Sequence, residues 1–238
     1  MIRDAIEYIV NLGKTQTFEF NGDTYTNDCL KVIKSPEAAA LHINTLNGIM
    51  DYLKSDPDED HVTTPIIVNV LSHEKVQVMS KLFGAQQREF YLEATPCNPT
   101  ITFDRFMDVE SFNIQLQSGF VRDENVEVVL RVIGNITDSQ VMSYSDDGIS
   151  QAVTAKKGIA RVAEVPVPNP VYLRPFRTFP EIEQPESPFV LRMADGPKAA
   201  LFCADGGAWK LQAIRSIKDY LSEKLSDQIV DGRVIIIA

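Results

Sequence analysis

The chain of 238 residues is strongly acidic, with a net charge of −10, and 44% of its residues are hydrophobic. That hydrophobic content is ordinary for a folded protein and excludes wholesale disorder. Proteins that grip DNA or RNA without sequence preference need surplus Lys and Arg to displace counterions, so the charge argues against general nucleic-acid binding. A small anionic ligand is not excluded, because a few well-placed donors can hold it.

The cysteines and the apolar runs favour a protein of a reducing cytoplasm. Cys29, Cys97 and Cys203 are far apart and form no C-x-x-C pair, which predicts neither a disulfide framework nor a zinc site. The first ten residues include acidic side chains within their apolar stretch, unlike a signal peptide. The longest apolar runs, such as VIIIA at 234–238, are too short to span a bilayer, so we expect no membrane association.

The first half of the chain predicts helices around a three-stranded meander. A short amphipathic helix over residues 4–12 precedes alternating residues around Asn21-Gly22, a dipeptide suited to a tight hairpin turn. Further along, the predicted strands are IIVNVLS, VQVMSKLF and REFYLEATP, and the helices after them are DVESFNIQLQSGFV and ENVEVVLRVIGNI.

One long helix is predicted before the meander, in SPEAAALHINTLNGIMDYL. Ser35 is suited to the N-cap and Pro36 to the first helical position. Apolar residues recur at helical spacing as far as Leu53, and His42 lies on the same apolar face. We therefore expect His42 to be a core histidine.

The second half of the chain is richer in strands and proline. QVMSYSDDGISQAVTAKKG predicts a hairpin that turns at Asp147-Gly148. Seven prolines between Pro166 and Pro188 exclude helix and favour extended edge strands and rigid turns. The remaining predicted elements are strands near 189–193 and 199–203, a helix over about 208–225 and a last hairpin around Asp231-Gly232.

Strands that follow one another through short turns predict the α+β class. In this class, mostly antiparallel sheets have helices packed on one side. We expect an α/β N-terminal region over residues 1–98 and an α+β C-terminal region over residues 99–238. A single continuous domain is the alternative that the sequence leaves open.

The sequence carries no motif of catalysis, metal binding or cofactor binding. DPDEDH at 56–61 resembles the start of a calcium loop, but His61 replaces the required glycine and Ile67 the final acid. The histidines lack metal spacing, and there is no G-x-S-x-G, Walker or G-x-G-x-x-G motif. We therefore predict no catalytic residue, no metal and no cofactor, and any enzyme chemistry would depend on residues that only the fold brings together.

The stretch LFCADGGAWKLQAIRSI changes from strand to helix at Asp205-Gly206-Gly207. On a helical wheel, Lys210 falls near the middle of the apolar arc of the helix and Trp209 at its edge. A lysine in the first turn opposes the helix dipole, whose positive end prefers an anion. We therefore expect a negative group close to Lys210.

Two interpretations of this turn remain open. In the structural one, Asp205 caps the helix and pairs with Lys210, the glycines supply turn conformations, and Trp209 is a core anchor. In the ligand-binding one, a phosphate or carboxylate binds to free N–H groups after the glycines. Lys210 then adds charge, and Trp209 offers a face on which a base stacks.

A second candidate segment is VYLRPFRTFPEIEQPESPFVLRM, in which Arg174 and Arg177 lie three residues apart between prolines. On an extended chain, Arg174 shares one side with Phe176, and Arg177 lies on the other side. Arginine among aromatic residues on a rigid strand suits planar, anionic, ring-bearing ligands. The alternative is that both arginines form salt bridges with the glutamates that follow them.

VPNPVYLRPFRTFPEIEQPESPFVLRM, followed by AALFCADGGAWKLQAIRSIKDYL, resembles a group of hypothetical proteins encoded by phages and prophages of Gram-positive bacteria. FDRFMDVESFNIQLQSGFV and DDGISQAVTAKKGIA resemble the same group, so the likeness spans about residues 35–225. The group has no assigned chemistry, and no catalytic residue follows from it. The resemblance implies a viral accessory protein that works in the cytoplasm of the bacterial host.

These observations favour a non-catalytic binding module for a small anionic, nucleotide-like molecule, acting as a sponge for a host immune signal in an anti-defence role. The predicted ligand-binding residues are Arg174, Phe176, Arg177, Asp205, Gly206, Gly207, Trp209 and Lys210. The alternatives are a structural or interaction protein, either virion-associated or a partner of replication or recombination factors, and an enzyme of unrecognised type. The apolar tail RVIIIA predicts either a homo-oligomer or a tail docked in the main sheet.

Overall fold

The computed structural model divides the chain into two compact units, residues 1–38 and residues 39–238. The residues that it describes are 2–20, 23–26, 38–58, 60–62, 64–83, 86–137, 141–146, 151–157, 160–161, 165–166, 169–194, 196 and 198–238. The predicted division into 1–98 and 99–238 stays a prediction.

The first unit is a helix followed by a hairpin. Helix α1 (Ile2–Leu12) is amphipathic, and strand β1 (Thr17–Phe20) pairs antiparallel with β2 (Asp23–Thr26). The predicted helix and strands are confirmed. The predicted turn at Asn21-Gly22 lies outside the described residues.

The second unit mixes strands and helices along its whole length. In chain order its elements are β3 (Leu41–Ile43), α2 (Leu46–Ser55), β4 (Ile66–Ser72), β5 (Lys75–Ser80), β6 (Phe90–Ala94), β7 (Met107–Asp108), α3 (Val109–Gly119), α4 (Glu124–Thr137), β8 (Val141–Asp146), β9 (Gln151–Lys157), β10 (Ala160–Arg161), β11 (Val165–Pro166), β12 (Val171–Leu173), β13 (Ser187–Ala194), β14 (Lys198–Cys203), α5 (Trp209–Lys224), α6 (Ser226–Val230) and β15 (Val234–Ile237).

The first core of this unit lies between a five-stranded sheet and helices α2 and α5. The strand order is β15-β4-β5-β6-β3, in which β4, β5 and β6 form the predicted antiparallel meander and the edge strands β15 and β3 pair in parallel. Alternate residues of β4 face inward, so Ile66, Val68 and Val70 are buried against helix residues such as Ile49 and Ile217.

The second core lies between helices α3 and α4 and a four-stranded antiparallel sheet of order β12-β13-β14-β7. Phe112 and Leu116 of α3 pack there with Phe189, Leu191 and Leu201 of the sheet. A further antiparallel group contains β8, β9, β10 and β11. It confirms the predicted hairpin strands, while their turn at Asp147-Gly148 lies outside the described residues.

The α+β class is therefore confirmed: helices pack against sheets whose strands are mostly antiparallel. Helices α3, α4 and α5 and strands β12, β13 and β14 lie where the sequence predicts helix or extended chain. Among the residues that the structure describes, no helix is long and apolar enough to cross a bilayer.

The helix predicted from Ser35 onward is wrong over residues 41–43, and its predicted start lies outside the described residues. His42 is an exposed residue of strand β3, which pairs in parallel with β6, and is not a core histidine. Helix α2 begins only at Leu46, because the Thr45 hydroxyl accepts a hydrogen bond from the Gly48 N–H at 3.1 Å and so caps the helix there.

The tail docks in the five-stranded sheet (the main sheet), which confirms one of the two predicted forms. Its last strand, β15, adds to the edge of β4 in parallel register, from Val234 beside Ile66 to Ile237 beside Asn69. The predicted hairpin around Asp231-Gly232 is wrong, because the short helix α6 precedes this turn and β15 pairs with a strand far away in sequence.

Candidate ligand-binding site

A cavity of about 380 Å³ opens where the loop before β7 meets helix α3. Such a volume lies within the range of small-molecule sites in proteins. The residues that line it are Thr102, Arg105, Phe106, Met107, Ser111 and Gln115.

The start of this loop, at Thr102, is hydrogen-bonded to the side chain of Gln115 in helix α3. The Thr102 N–H donates to Gln115 Oε1 at 2.7 Å, and Gln115 Nε2 donates back to the Thr102 carbonyl at 3.2 Å. A primary amide can donate and accept at the same time. The Gln115 amide therefore pairs with both the N–H and the C=O of Thr102, as a neighbouring strand would. The loop is thereby fixed to the helix beside the cavity.

The middle of the loop is held to β14 by Asp104. Its φ of 59° lies in the left-handed region, which few residues other than glycine adopt and aspartate tolerates better than most. The Asp104 N–H donates to the Leu201 carbonyl at 2.8 Å, and Asp104 Oδ1 accepts from the Cys203 N–H at 3.1 Å. Both bonds offset the backbone strain and fix the direction in which the next residues leave.

Arg105 and Phe106 lie directly after this fixed point. Arg105 is exposed and is the one charged residue in the cavity lining, and it forms no ion pair with any residue that the structure describes. Phe106 is 41% exposed, and its ring rests edge-on against Phe202 with centroids 5.9 Å apart. The cavity thus combines a cation, an aromatic ring and polar groups on a pre-formed loop.

The predicted site at the Asp205-Gly206-Gly207 turn has a different character. Gly206 and Gly207 have φ values of 61° and 84°, which only glycine adopts readily. Asp205 Oδ1 accepts from the Gly207 N–H at 2.9 Å, and Oδ2 accepts from the Ser187 hydroxyl at 2.5 Å. The Gly207 N–H is therefore already bonded, and so is the first N–H after the glycines, because the Ala208 N–H donates to the Asp205 carbonyl at 3.2 Å.

Asp205 does not pair with Lys210, and this part of the structural interpretation is wrong. Lys210 is exposed at the start of α5, and its Nζ lies 5.9 Å from the ring centroid of Trp209. Leu211, also in the first turn of α5, is 62% exposed. The first buried residue of α5 is Ala213.

Arg177 is the buried member of the predicted set, with only 8% of its surface exposed. Its Nη2 donates to the Ser187 hydroxyl and, at 3.2 Å, to the Pro185 carbonyl. Its guanidinium carbon lies 3.8 Å from the ring centroid of Trp209, a stacked cation–π contact. Burial lowers the pKa of Arg177 to about 10, although the Asp205 carboxylate raises it.

Trp209 also contacts His73 in the turn between β4 and β5. The two ring centroids are 4.5 Å apart and the planes are nearly perpendicular at 80°. Burial lowers the pKa of His73, and the charges of Lys210 and Arg177 lower it further, while Glu74 acts in the opposite direction. His73 is thus disposed to be a neutral packing partner of Trp209.

Arg174 and Phe176 are not brought to this cluster. Arg174 donates to Asp123 Oδ2 at 3.2 Å and to Glu183 Oε1 at 3.2 Å, so the predicted salt-bridge alternative describes it correctly. Phe176 is half-buried, and its N–H donates to the Gly119 carbonyl at 2.8 Å. The structure therefore places these two residues beside the junction of α3 and α4.

The other predicted residues are neighbours, and most of their contacts are made within this group: Arg177, Asp205, Gly207, Trp209 and Lys210. Gly206 completes the turn in an open place, where an added Cβ would meet no described atom within 4 Å. Their role in ligand binding stays a prediction. No described residues form a group of three or more His, Cys, Asp or Glu side chains that could hold a metal ion.

Sequence reasoning missed Arg105 and Phe106. Within the sequence they belong to an ordinary Asp-Arg-Phe triplet before a capped helix, and only the contacts of Asp104 and Gln115 give them a common cavity. Comparison of the chain with protein-family models, with curated proteins and with solved structures finds no match.

Proposed function

We propose that the protein is a non-catalytic binding module for a small anionic, nucleotide-like molecule, which it holds in the cavity of the 102–107 loop. The observation that carries this proposal is Arg105, the one charged residue in the cavity lining and without an ion pair among the described residues. A guanidinium presented in this way suits a phosphate or carboxylate, which it binds in a bidentate manner. The exposed ring of Phe106 beside it suits a planar ring by stacking.

The size and the charge of the molecule narrow the ligand class. A volume of about 380 Å³ lies near the lower end of small-molecule sites, which favours one ring system with one anionic group. The net charge of −10 disfavours a nucleic-acid polymer, since each added phosphate meets more repulsion than attraction. A mononucleotide is the simplest molecule that has both features.

Binding without turnover is supported by the state of the Cys203 thiol. Cys203 lies at the end of β14, where Asp104 reaches its N–H. Burial raises the pKa of the Cys203 thiol, and the charges of Asp104 and Asp205 raise it further, so the reactive thiolate is disfavoured. In the cytoplasm of a phage-infected bacterium, such a module would act by sequestering a host immune signal.

The proposal is tested by calorimetric titration of the full chain with the four ribonucleoside 5′-monophosphates. We expect at least one of them to bind with one molecule per chain, and its uncharged nucleoside to bind more weakly. Replacement of Arg105 by alanine should weaken binding roughly 10- to 150-fold, since a hydrogen bond to a charged group contributes about 1.5–3 kcal/mol. Arg215→Ala, at an exposed arginine of α5, is the matched control and should bind as the natural chain does.

Three results would contradict the proposal. If none of the monophosphates binds, the ligand class is wrong. If Lys210→Ala abolishes binding while Arg105→Ala does not, the site lies at the Gly206-Gly207 turn instead of the cavity. If the nucleotide recovered after denaturation of the protein has been converted to a product, the module is an enzyme.

A further inference from the structure

Strand β15 is an edge strand of the main sheet. Its one strand neighbour among the described residues is β4, so the N–H and C=O groups on its other side lack a strand partner there. Natural proteins usually protect such an edge with charged residues, proline or a bulge. The segment from Val234 to Ile237 has none of these protections.

The surroundings of the edge are apolar as well. Val234 is buried and Ile236 packs against the first core, whereas Ile235 and Ile237 are each 46% exposed on the opposite face of the sheet. Val230, in the neighbouring helix α6, is 85% exposed. The strand edge and these exposed apolar side chains therefore favour a partner that supplies both a strand and an apolar surface.

We propose that β15 pairs antiparallel with β15 of a second copy, so that the two main sheets become one continuous sheet in a two-fold symmetric dimer. Side chains directly opposite each other in antiparallel strands point to the same face, so a two-fold pairing must match residues of the same parity. With Ile236 on the two-fold axis, exposed Ile235 of each copy lies opposite exposed Ile237 of the other. The exposed isoleucines of the two copies thus cover one another, so the strand is complementary to the same strand of a second copy.

Charge limits the places at which two copies can meet. Two chains that each carry a net charge of −10 repel each other over most of their surfaces. An edge strand of four uncharged residues is a place where they can meet with little like-charge contact. Because a pair of four-residue strands falls short of the roughly 1,200 Å² that stable interfaces bury, Val230 of α6 has to contribute to the contact.

The first experiment is light scattering of the full chain during gel filtration. We expect twice the chain mass of 26.6 kDa for the natural sequence. The double variant Ile235→Lys, Ile237→Lys should have the single-chain mass at the same concentration, because lysines would then face each other across the two-fold axis. Ile114→Lys is the matched control: it is also an exposed isoleucine, 59% accessible, but lies on α3, and it should remain dimeric.

Amide hydrogen exchange of the natural chain tests the contact without a substitution. Exchange at residues 235–237 should slow as protein concentration rises, whereas residues 41–43 of β3, at the other edge of the same sheet, should not respond. A single-chain mass for the natural sequence at every concentration would overturn the proposal. So would a double lysine variant that folds and keeps the dimer mass, or exchange at β15 that does not depend on concentration.

Discussion

Arg174 and Arg177 lie three residues apart and share a sequence environment, yet the structure uses them differently. The Arg174 side chain is 28% exposed and pairs with Asp123, which also accepts from the Val126 N–H. Arg177 is buried between the Ser187 hydroxyl and the Trp209 ring. A charge in such a place is tolerated only while its partners are present, whereas a pair that is partly exposed to water, such as Arg174 and Asp123, contributes less.

We therefore predict that Arg177→Ala lowers the free energy of unfolding by about 3–5 kcal/mol, since it removes the two hydrogen bonds that the buried cation donates, to Ser187 and to the Pro185 carbonyl, and its contact with the Trp209 ring. Arg174→Ala, the matched control, should lower it by about 1 kcal/mol or less. Urea unfolding followed by far-ultraviolet circular dichroism measures both losses. Fluorescence is less suitable, because the Arg177→Ala substitution removes a contact of Trp209 and would itself change the fluorescence of this residue. Equal losses for the two variants would show that the buried position of Arg177 has no special role in stability.

At the scale of residues, only some members of the candidate sites could be predicted from the sequence. Arg177 and Trp209 were each identifiable as candidates, because an arginine among aromatic residues and a lone tryptophan after a glycine pair are visible locally, but their contact was not predicted. Arg105 and Phe106 were not, because their placement depends on Gln115, on the left-handed backbone of Asp104 and on the end of β14. These contacts join segments up to 99 residues apart, and no local pattern encodes them.

At the scale of elements, residues 41–43 show that a local preference for helix can be overridden. Ser35, Pro36 and the alanines that follow favour a helix by local propensity, but residues 41–43 join the sheet beside β6. Propensity differences of a few tenths of a kcal/mol per residue are smaller than the gain from pairing residues 41–43 with β6 and packing Ile43 against the first core. The strands of the meander and helices α3, α4 and α5 were predictable because their local pattern and their packing agree.

The position of the α2 cap gives an element-scale prediction. Thr45→Ala should lower the free energy of unfolding by about 1 kcal/mol, since the Gly48 N–H loses the hydroxyl that it donates to. Thr45→Ser keeps an acceptor at the same place and should lower stability by only a few tenths of a kcal/mol. Urea unfolding of both variants is the measurement. A Thr45→Ala variant as stable as the natural chain would mean that α2 does not begin at this residue.

At the scale of the whole molecule, the Arg177–Trp209–His73 cluster connects the two cores of the second unit. His73 belongs to the turn between two strands of the first sheet, and Trp209 begins the helix that packs on that sheet. Arg177 bonds to Ser187 at the start of β13 in the second sheet. The cluster is therefore one of the contacts between the two cores, and burial lowers the pKa of its histidine, His73.

This arrangement predicts that stability falls as the pH drops below about 6.5, the ordinary pKa of histidine. Because the pKa of His73 is lower in the folded protein, the unfolded chain takes up the proton first, and protonation favours unfolding from about pH 6.5 down to the folded pKa. Burial raises the pKa of Asp205, but the Ser187 hydroxyl and the Gly207 N–H together hold it below its ordinary value of 3.8, so Asp205 adds a loss only below that value. The two contributions therefore act in separate pH ranges.

The measurement is urea unfolding between about pH 7.5 and about pH 5 at one protein concentration, since pairing of chains through β15 would make stability depend on concentration. His73→Phe keeps a ring against Trp209 but cannot take up a proton, so the dependence on pH in this range should become shallower. His61→Phe, at an exposed loop histidine, is the matched control and should keep the dependence of the natural chain. If the His73→Phe variant loses stability toward low pH as steeply as the natural chain does, the loss comes from other groups and not from His73.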